Sequence, residues 1–227
     1  VGSSNTTTVT LQGRDQYGNA VSAASGAVVF SVTAGSVSSA TNNSNGTYSG
    51  TYTAGNTAGS VTVSATYGGT ATGTTSLTLV AGAPAKYLVT TSVSSLTAGD
   101  TLTVTAQLAD AYDNTISLAS RAVVWSASNG GSFATSPSVT NSSGIATVVY
   151  TTNTTKNSSA TVTATDTLSI AGTSATFATV SGTAAKLVLN AGNNQSATVN
   201  TTVATAPSVL VTDSNDNAVS GTSVTYA

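Results

Sequence analysis

Along residues 101–108 the side chains alternate without a break. Leu102, Val104, Ala106 and Leu108 fall on one face, and Thr101, Thr103, Thr105 and Gln107 fall on the other. Ala146, Val148 and Tyr150 repeat the pattern. A period of two cannot supply the continuous apolar stripe that a helix must bury, so it dictates half-buried strands. One face packs on a partner sheet while the threonines meet water, where a β-branched residue favours the pleat and its hydroxyl is solvated. The composition points the same way. All seven acids are Asp, Lys and Arg total five, and Met is absent, so the strong helix formers are nearly missing. Turns rich in Asn, Gly and Ser follow about every ten residues, the spacing of a sandwich. The fold class is all-β.

The chain repeats itself. The turn Asp15-Gln16-Tyr17-Gly18-Asn19 recurs as Asp110-Ala111-Tyr112-Asp113-Asn114 and again as Asp213-Ser214-Asn215-Asp216-Asn217. An aromatic that ends a β-branched run follows each of them: Phe30, Trp125 and Tyr226. Gly46 precedes Tyr52 as Gly144 precedes Tyr150, and Val61–Thr66 matches Thr161–Thr165. Val80-Ala81-Gly82 with Lys86 aligns with Val180-Ser181-Gly182 with Lys186. A period near one hundred residues is that of a domain, not of a solenoid. The expected architecture is therefore a rod-like array of tandem β-sandwiches. Residues 1–82 form a repeat lacking its first strand, 83–182 a complete repeat, and 183–227 the N-terminal part of a third. The linkers near Ala81–Ala85 and Ser181–Ala185 are too short for free tumbling. An incomplete sandwich leaves an open edge, so more chain, or a strand donated by a neighbouring copy, is expected to complete the outer repeats.

Each Asp turn is expected to act as punctuation. Its carboxylate accepts the backbone N–H groups that follow, and Gly18, Asn19, Asn114 and Asn217 tolerate a left-handed backbone. Phe30, Trp125 and Tyr226 are expected in equivalent core positions.

Several chemistries are excluded or disfavoured by what is missing. With no His, no Cys and no Glu, neither triads nor thiol nucleophiles nor the usual metal-hydrolase ligand sets can be assembled. No enzymatic activity is expected, and no cofactor. A net charge of −2 without a basic cluster argues against nucleic acid. No apolar run is long enough for a membrane-spanning helix, so no membrane insertion by this segment is expected. Asp213, Asn215, Asp216 and Asn217 form the densest oxygen supply and are the one calcium candidate; the simpler reading is a turn that needs no ion. Asn5, Asn42, Asn45, Asn141, Asn153, Asn157, Asn194 and Asn200 each head an Asn-x-Ser/Thr sequon, a possible glycosylation acceptor. In a chain that is about a third Ser and Thr, chance alone accounts for most of them.

The order of these elements resembles bacterial immunoglobulin-like domains of the invasin/intimin type. It runs from Asp15 to Val21, Val28 to Phe30, Thr140 to Ala146, Tyr150-Thr151 and Val162 to Thr165. The chain departs from that pattern in having Asp113 at the usual turn glycine and Asn45 to Tyr48 where the second copy has Gly144-Ile145-Ala146. The resemblance implies immunoglobulin-like sandwiches in extracellular, cell-surface proteins. On it we expect a structural segment of a surface lattice (an S-layer), filament or stalk. An adhesin or carbohydrate-binding module is the alternative. The expected partners are other copies of the chain or adjacent repeats.

Overall fold

The computed structural model describes residues 5–22 and 26–226 and is built of strands throughout. Two compact units divide the chain. One comprises Val1–Ala85 with Ala109–Ile116, the other Lys86–Leu108 with Ser117–Ala227.

The first unit holds β1 (Thr6–Gln12), β2 (Val28–Val32), β3 (Ser36–Val37), β4 (Thr41–Asn42), β5 (Thr47–Thr53), β6 (Gly59–Tyr67) and β7 (Ala71–Leu79). They form two antiparallel sheets: β1-β5-β3, with β4 also on β5, and β2-β6-β7. Alternation decides which face is buried. Tyr48, Tyr52, Val61, Val63 and Ala65 point inward, while Thr51 and Thr62 face solvent. Tyr52 keeps its hydroxyl satisfied by donating to the Ala34 carbonyl at 3.1 Å. Gly46 is required where the β4–β5 turn meets Val21. Its φ is +82°, and a Cβ there would lie 1.6 Å from the Val21 carbonyl oxygen.

The second unit holds β8 (Lys86–Thr91), β9 (Ser95–Thr97), β10 (Thr101–Ala109), β11 (Ala122–Ala127), β12 (Ser132–Phe133), β13 (Ser138–Val139), β14 (Ile145–Thr151), β15 (Asn157–Ala160), β16 (Val162–Asp166), β17 (Ala171–Thr173), β18 (Phe177–Val180), β19 (Lys186–Ala191) and β20 (Ser208–Thr212); the last residue of β10 belongs to the first unit. One sheet runs β12-β14-β10-β8, the facing one β13-β11-β16-β17, and β15-β18-β9 forms a third with β9 parallel to β18. Between them pack Leu102, Val104, Val123, Trp125, Val148, Tyr150, Val162 and Phe177, all buried. Tyr150 lies at the centre, 4.8 Å from Phe133 and 6.3 Å from Phe177 by ring centroids. β19 and β20 form a separate two-stranded sheet. In the first unit, β1 is the edge of its sheet among the described residues. Its counterpart β10 carries β8 outside it, with Tyr87 and Val89 buried.

The three aromatics do not share one environment. Trp125 is 5 % exposed and pairs with Ala164 across β11 and β16; its indole N–H donates to Ser138 Oγ at 2.8 Å. Phe30 pairs with Ala65 in the matching register but is half-buried, because it borders an open cavity of about 390 Å³ between β1 and β7. Tyr226 corrects the expectation of a core position. It is 66 % exposed and outside any strand, since the sheet of β19 and β20 has no partner sheet packed over it among the described residues.

Candidate functional site: the aspartate–asparagine turns

Each of the three repeated turns is built by the same local bonds. Asp15 Oδ1 accepts the amides of Tyr17 and Asn19, Asp110 Oδ1 those of Tyr112 and Asn114, and Asp213 Oδ1 those of Asn215 and Asn217. The left-handed residue is Gly18 (φ 85°), Asp113 (φ 68°) or Asp216 (φ 66°). Asp tolerates this conformation by local hydrogen bonding, which explains how it replaces a glycine here. The expected conformational role of Asn19, Asn114 and Asn217 is thereby corrected: the left-handed position lies one residue earlier.

Asn114 and Asn217 do something else. Asn114 Nδ2 donates to Asp110 and also to the Asn56 carbonyl at 2.8 Å, while Asn114 Oδ1 accepts the Ala58 amide at 2.7 Å. Asn217 repeats the arrangement, donating to the Thr154 carbonyl at 2.8 Å and accepting the Lys156 amide at 2.8 Å. The second carboxylate oxygen of Asp110 and of Asp213 reaches a linker glycine. Gly82 N–H donates to Asp110 Oδ2, and Gly182 N–H to Asp213 Oδ2, both at 2.8 Å. The first set of bonds lies wholly within the first unit and the second wholly within the second. Reading the turns as punctuation missed these long-range bonds. The signal that could have found them is that Gly82 and Gly182 recur in step with Asp110 and Asp213.

Electrostatics follow from the donors. Asp110 and Asp213 are each 1 % exposed. Burial by itself would push their carboxyls up. The N–H groups of the linker glycine, of the Asn side chain and of the turn backbone outweigh it and hold both at about 2. Asp15 is exposed and bonds only its own turn among the described residues; the Asn19 side chain is the main cause of its lowered carboxyl pKa.

The four oxygen-bearing residues of the calcium candidate do not converge. Asp213 accepts four N–H groups, Asn217 Oδ1 accepts the Lys156 amide, and Asp216 turns outward to Lys186 Nζ at 2.8 Å. A cation would have to displace N–H donors, whereas calcium needs six to eight free oxygens. Among the described residues no group of three or more Asp, Glu, His or Cys is gathered.

Of the sequon asparagines, Asn5, Asn42, Asn45, Asn141, Asn194 and Asn200 are exposed, and Asn153 and Asn157 are half-buried. A further polar cluster escaped the sequence reading. Asp166 is buried in the second unit, ion-paired to Arg121, with the Tyr87 hydroxyl at 3.2 Å and the amides of Leu168 and Ile170 on its other oxygen. Burial pushes the Asp166 carboxyl up, but Arg121 and the two amides leave it lowered. Every partner is satisfied within the sandwich, so this is an internal brace.

Residues 2–82 match the family model described as Invasin, domain 3. Solved structures that resemble the chain include InvD of Yersinia pseudotuberculosis, at 23 % identity over 96 % of this chain and 68 % of that one, with a TM-score of 0.47. The Escherichia coli adhesin FdeC follows at 23 % identity, covering 95 % of this chain and 71 % of that one, with a TM-score of 0.46. Invasin, described as a bacterial integrin-binding protein, has 22 % identity over 82 % of this chain and 38 % of its own, with a TM-score of 0.44. No curated protein sequence matches.

Proposed function

The chain resembles bacterial immunoglobulin-like domains of the invasin/intimin type, in sequence through its residues 2–82, and on that premise we propose that it is a repeat segment of an adhesin-type bacterial surface protein. The observation that carries this reading is the family match over the first sandwich. It favours an adhesin-type protein over the surface-lattice or filament subunit, for which nothing comparable speaks. The segment's own part is non-enzymatic: it spaces and orients whatever lies beyond it. Supporting this, the chain has no His, Cys or Glu, and the buried carboxylates Asp110, Asp166 and Asp213 are engaged by N–H donors and, for Asp166, also by the Tyr87 hydroxyl. The boundaries that suit this role are repeats at 1–82, 83–182 and 183–227.

Antibodies raised against this segment are expected to label intact, unpermeabilised cells that express the protein. Labelling only after permeabilisation would sink the surface reading. Electron microscopy of those cells separates the two surface forms, since an ordered lattice would favour the array and isolated projections the adhesin.

A further inference from the structure

The two buried turns share a feature that hydrogen-bond satisfaction of their own loops does not require. In each, one carboxamide lies against a backbone fork, the carbonyl of one residue and the amide of the residue two further on. The forks are Asn56 C=O with Ala58 N–H and Thr154 C=O with Lys156 N–H. The carboxamide of Asn or Gln carries a donor and an acceptor side by side on one planar group, so it can complete such a fork at both points. The Asp of the same turn fixes which way the amide faces. A carboxylate only accepts, and it takes one hydrogen of Nδ2 in each case, at 2.9 Å for Asp110 Oδ2 and 3.0 Å for Asp213 Oδ2. The other hydrogen and Oδ1 are thereby aimed at the fork.

The fork residues differ in side chain between the two sites, Asn-Thr-Ala against Thr-Thr-Lys, while the bonds agree within 0.1 Å. What is read is therefore backbone. We propose that the asparagine ending each of the two buried Asp-x-x-x-Asn turns is a recognition element for the loop that follows the buried tyrosine of a preceding immunoglobulin-like repeat. The partner it fits is a backbone fork of that spacing, whatever the loop sequence. Asn217 on the loop 154–156 is the instance within the second unit, and Asn114 on the loop 56–58 the instance within the first. Asn19 is an internal control, because its side chain bonds only Asp15 among the described residues.

Amide hydrogen exchange on the full chain tests this. In the parent protein the Lys156 and Ala58 amides should exchange slowly although they lie outside strands. Asn217→Ala should speed exchange at Lys156 by about tenfold, the scale of one net hydrogen bond, and leave Gly182 protected by Asp213. Asn114→Ala should do the same to Ala58 and spare Gly82, while Asn19→Ala should change none of the four. Replacing Thr154 and Thr155 by Ala should leave Lys156 protected. Two results would overturn the proposal. One is loss of Lys156 protection in that loop variant, which would show side-chain recognition. The other is joint loss of both amides at each site (Gly182 with Lys156, Gly82 with Ala58), or of neither, in the Asn→Ala variants. Joint loss would show that the asparagine merely builds its own turn.

Discussion

Asp213 and Gly182, 31 positions apart, are joined by a 2.8 Å hydrogen bond from the glycine amide to the carboxylate. Asp110 and Gly82 form the same bond at the same length. A linker amide that would otherwise need water is thus tied to a buried anion, and a charge-assisted bond of this kind is stronger than a neutral one. The anion in turn depends on its donors to stay ionised.

Stability should therefore fall in acid. Asp110 and Asp213 sit at about 2 when folded, below the ordinary value of 3.8, so the folded state favours the deprotonated form. Their contribution is fully present above the unfolded value and is lost as pH falls from about 4 through about 2. Thermal melts across this range should show a steep decline for the parent protein. The double variant Asp110→Asn, Asp213→Asn should be less stable at neutral pH and decline less steeply. An equally steep decline in the variant would assign the acid sensitivity to other carboxylates, Asp166 first.

Trp125→Ala should destabilise the sandwich that contains it by about 3–5 kcal/mol, because the indole is buried and leaves a large cavity with Ser138 unpaired. Chemical denaturation of the second unit measures this. A loss of less than about 1 kcal/mol would mean that the site collapses freely around the smaller residue.

Gly172 and Gly73 should respond oppositely to alanine. At Gly172 in β17 a Cβ would lie 1.8 Å from the Tyr87 carbonyl oxygen, a backbone atom that moves only with β8. Gly172→Ala should cost about 1–3 kcal/mol or more. At Gly73 in β7 the nearest atom is Leu11 Cδ1 at 3.9 Å, an ordinary contact, so Gly73→Ala should be neutral or slightly stabilising. Melting temperatures of the two variants check the contrast.

Chelation by EDTA should leave the melting temperature unchanged, since the Asp213 oxygens are already occupied by N–H donors. A calcium-dependent rise of several degrees that vanishes in Asp213→Ala would reverse this conclusion.

For β10 and β14 the amino-acid pattern alone settles both the strand and its buried face. Alternation in residues 101–108 and 145–150 is a local property, and a period of two fixes the inward set wherever the strand lies. The sequence also placed the Asp turns, because the bonds from each Asp Oδ1 to the amides of its own turn span at most four residues. Long-range packing, by contrast, buries Asp110 and Asp213 on linker glycines, sets Asn114 and Asn217 on backbone forks, and brings Asp166 to Arg121 and Tyr87. Tyr226 shows the same division from the other side. Its position in the repeat made it a core residue, but burial needs an opposing sheet, and none packs over it among the described residues. Those outcomes depend on groups 28 to 79 positions apart meeting in space, and no local pattern encodes such a meeting.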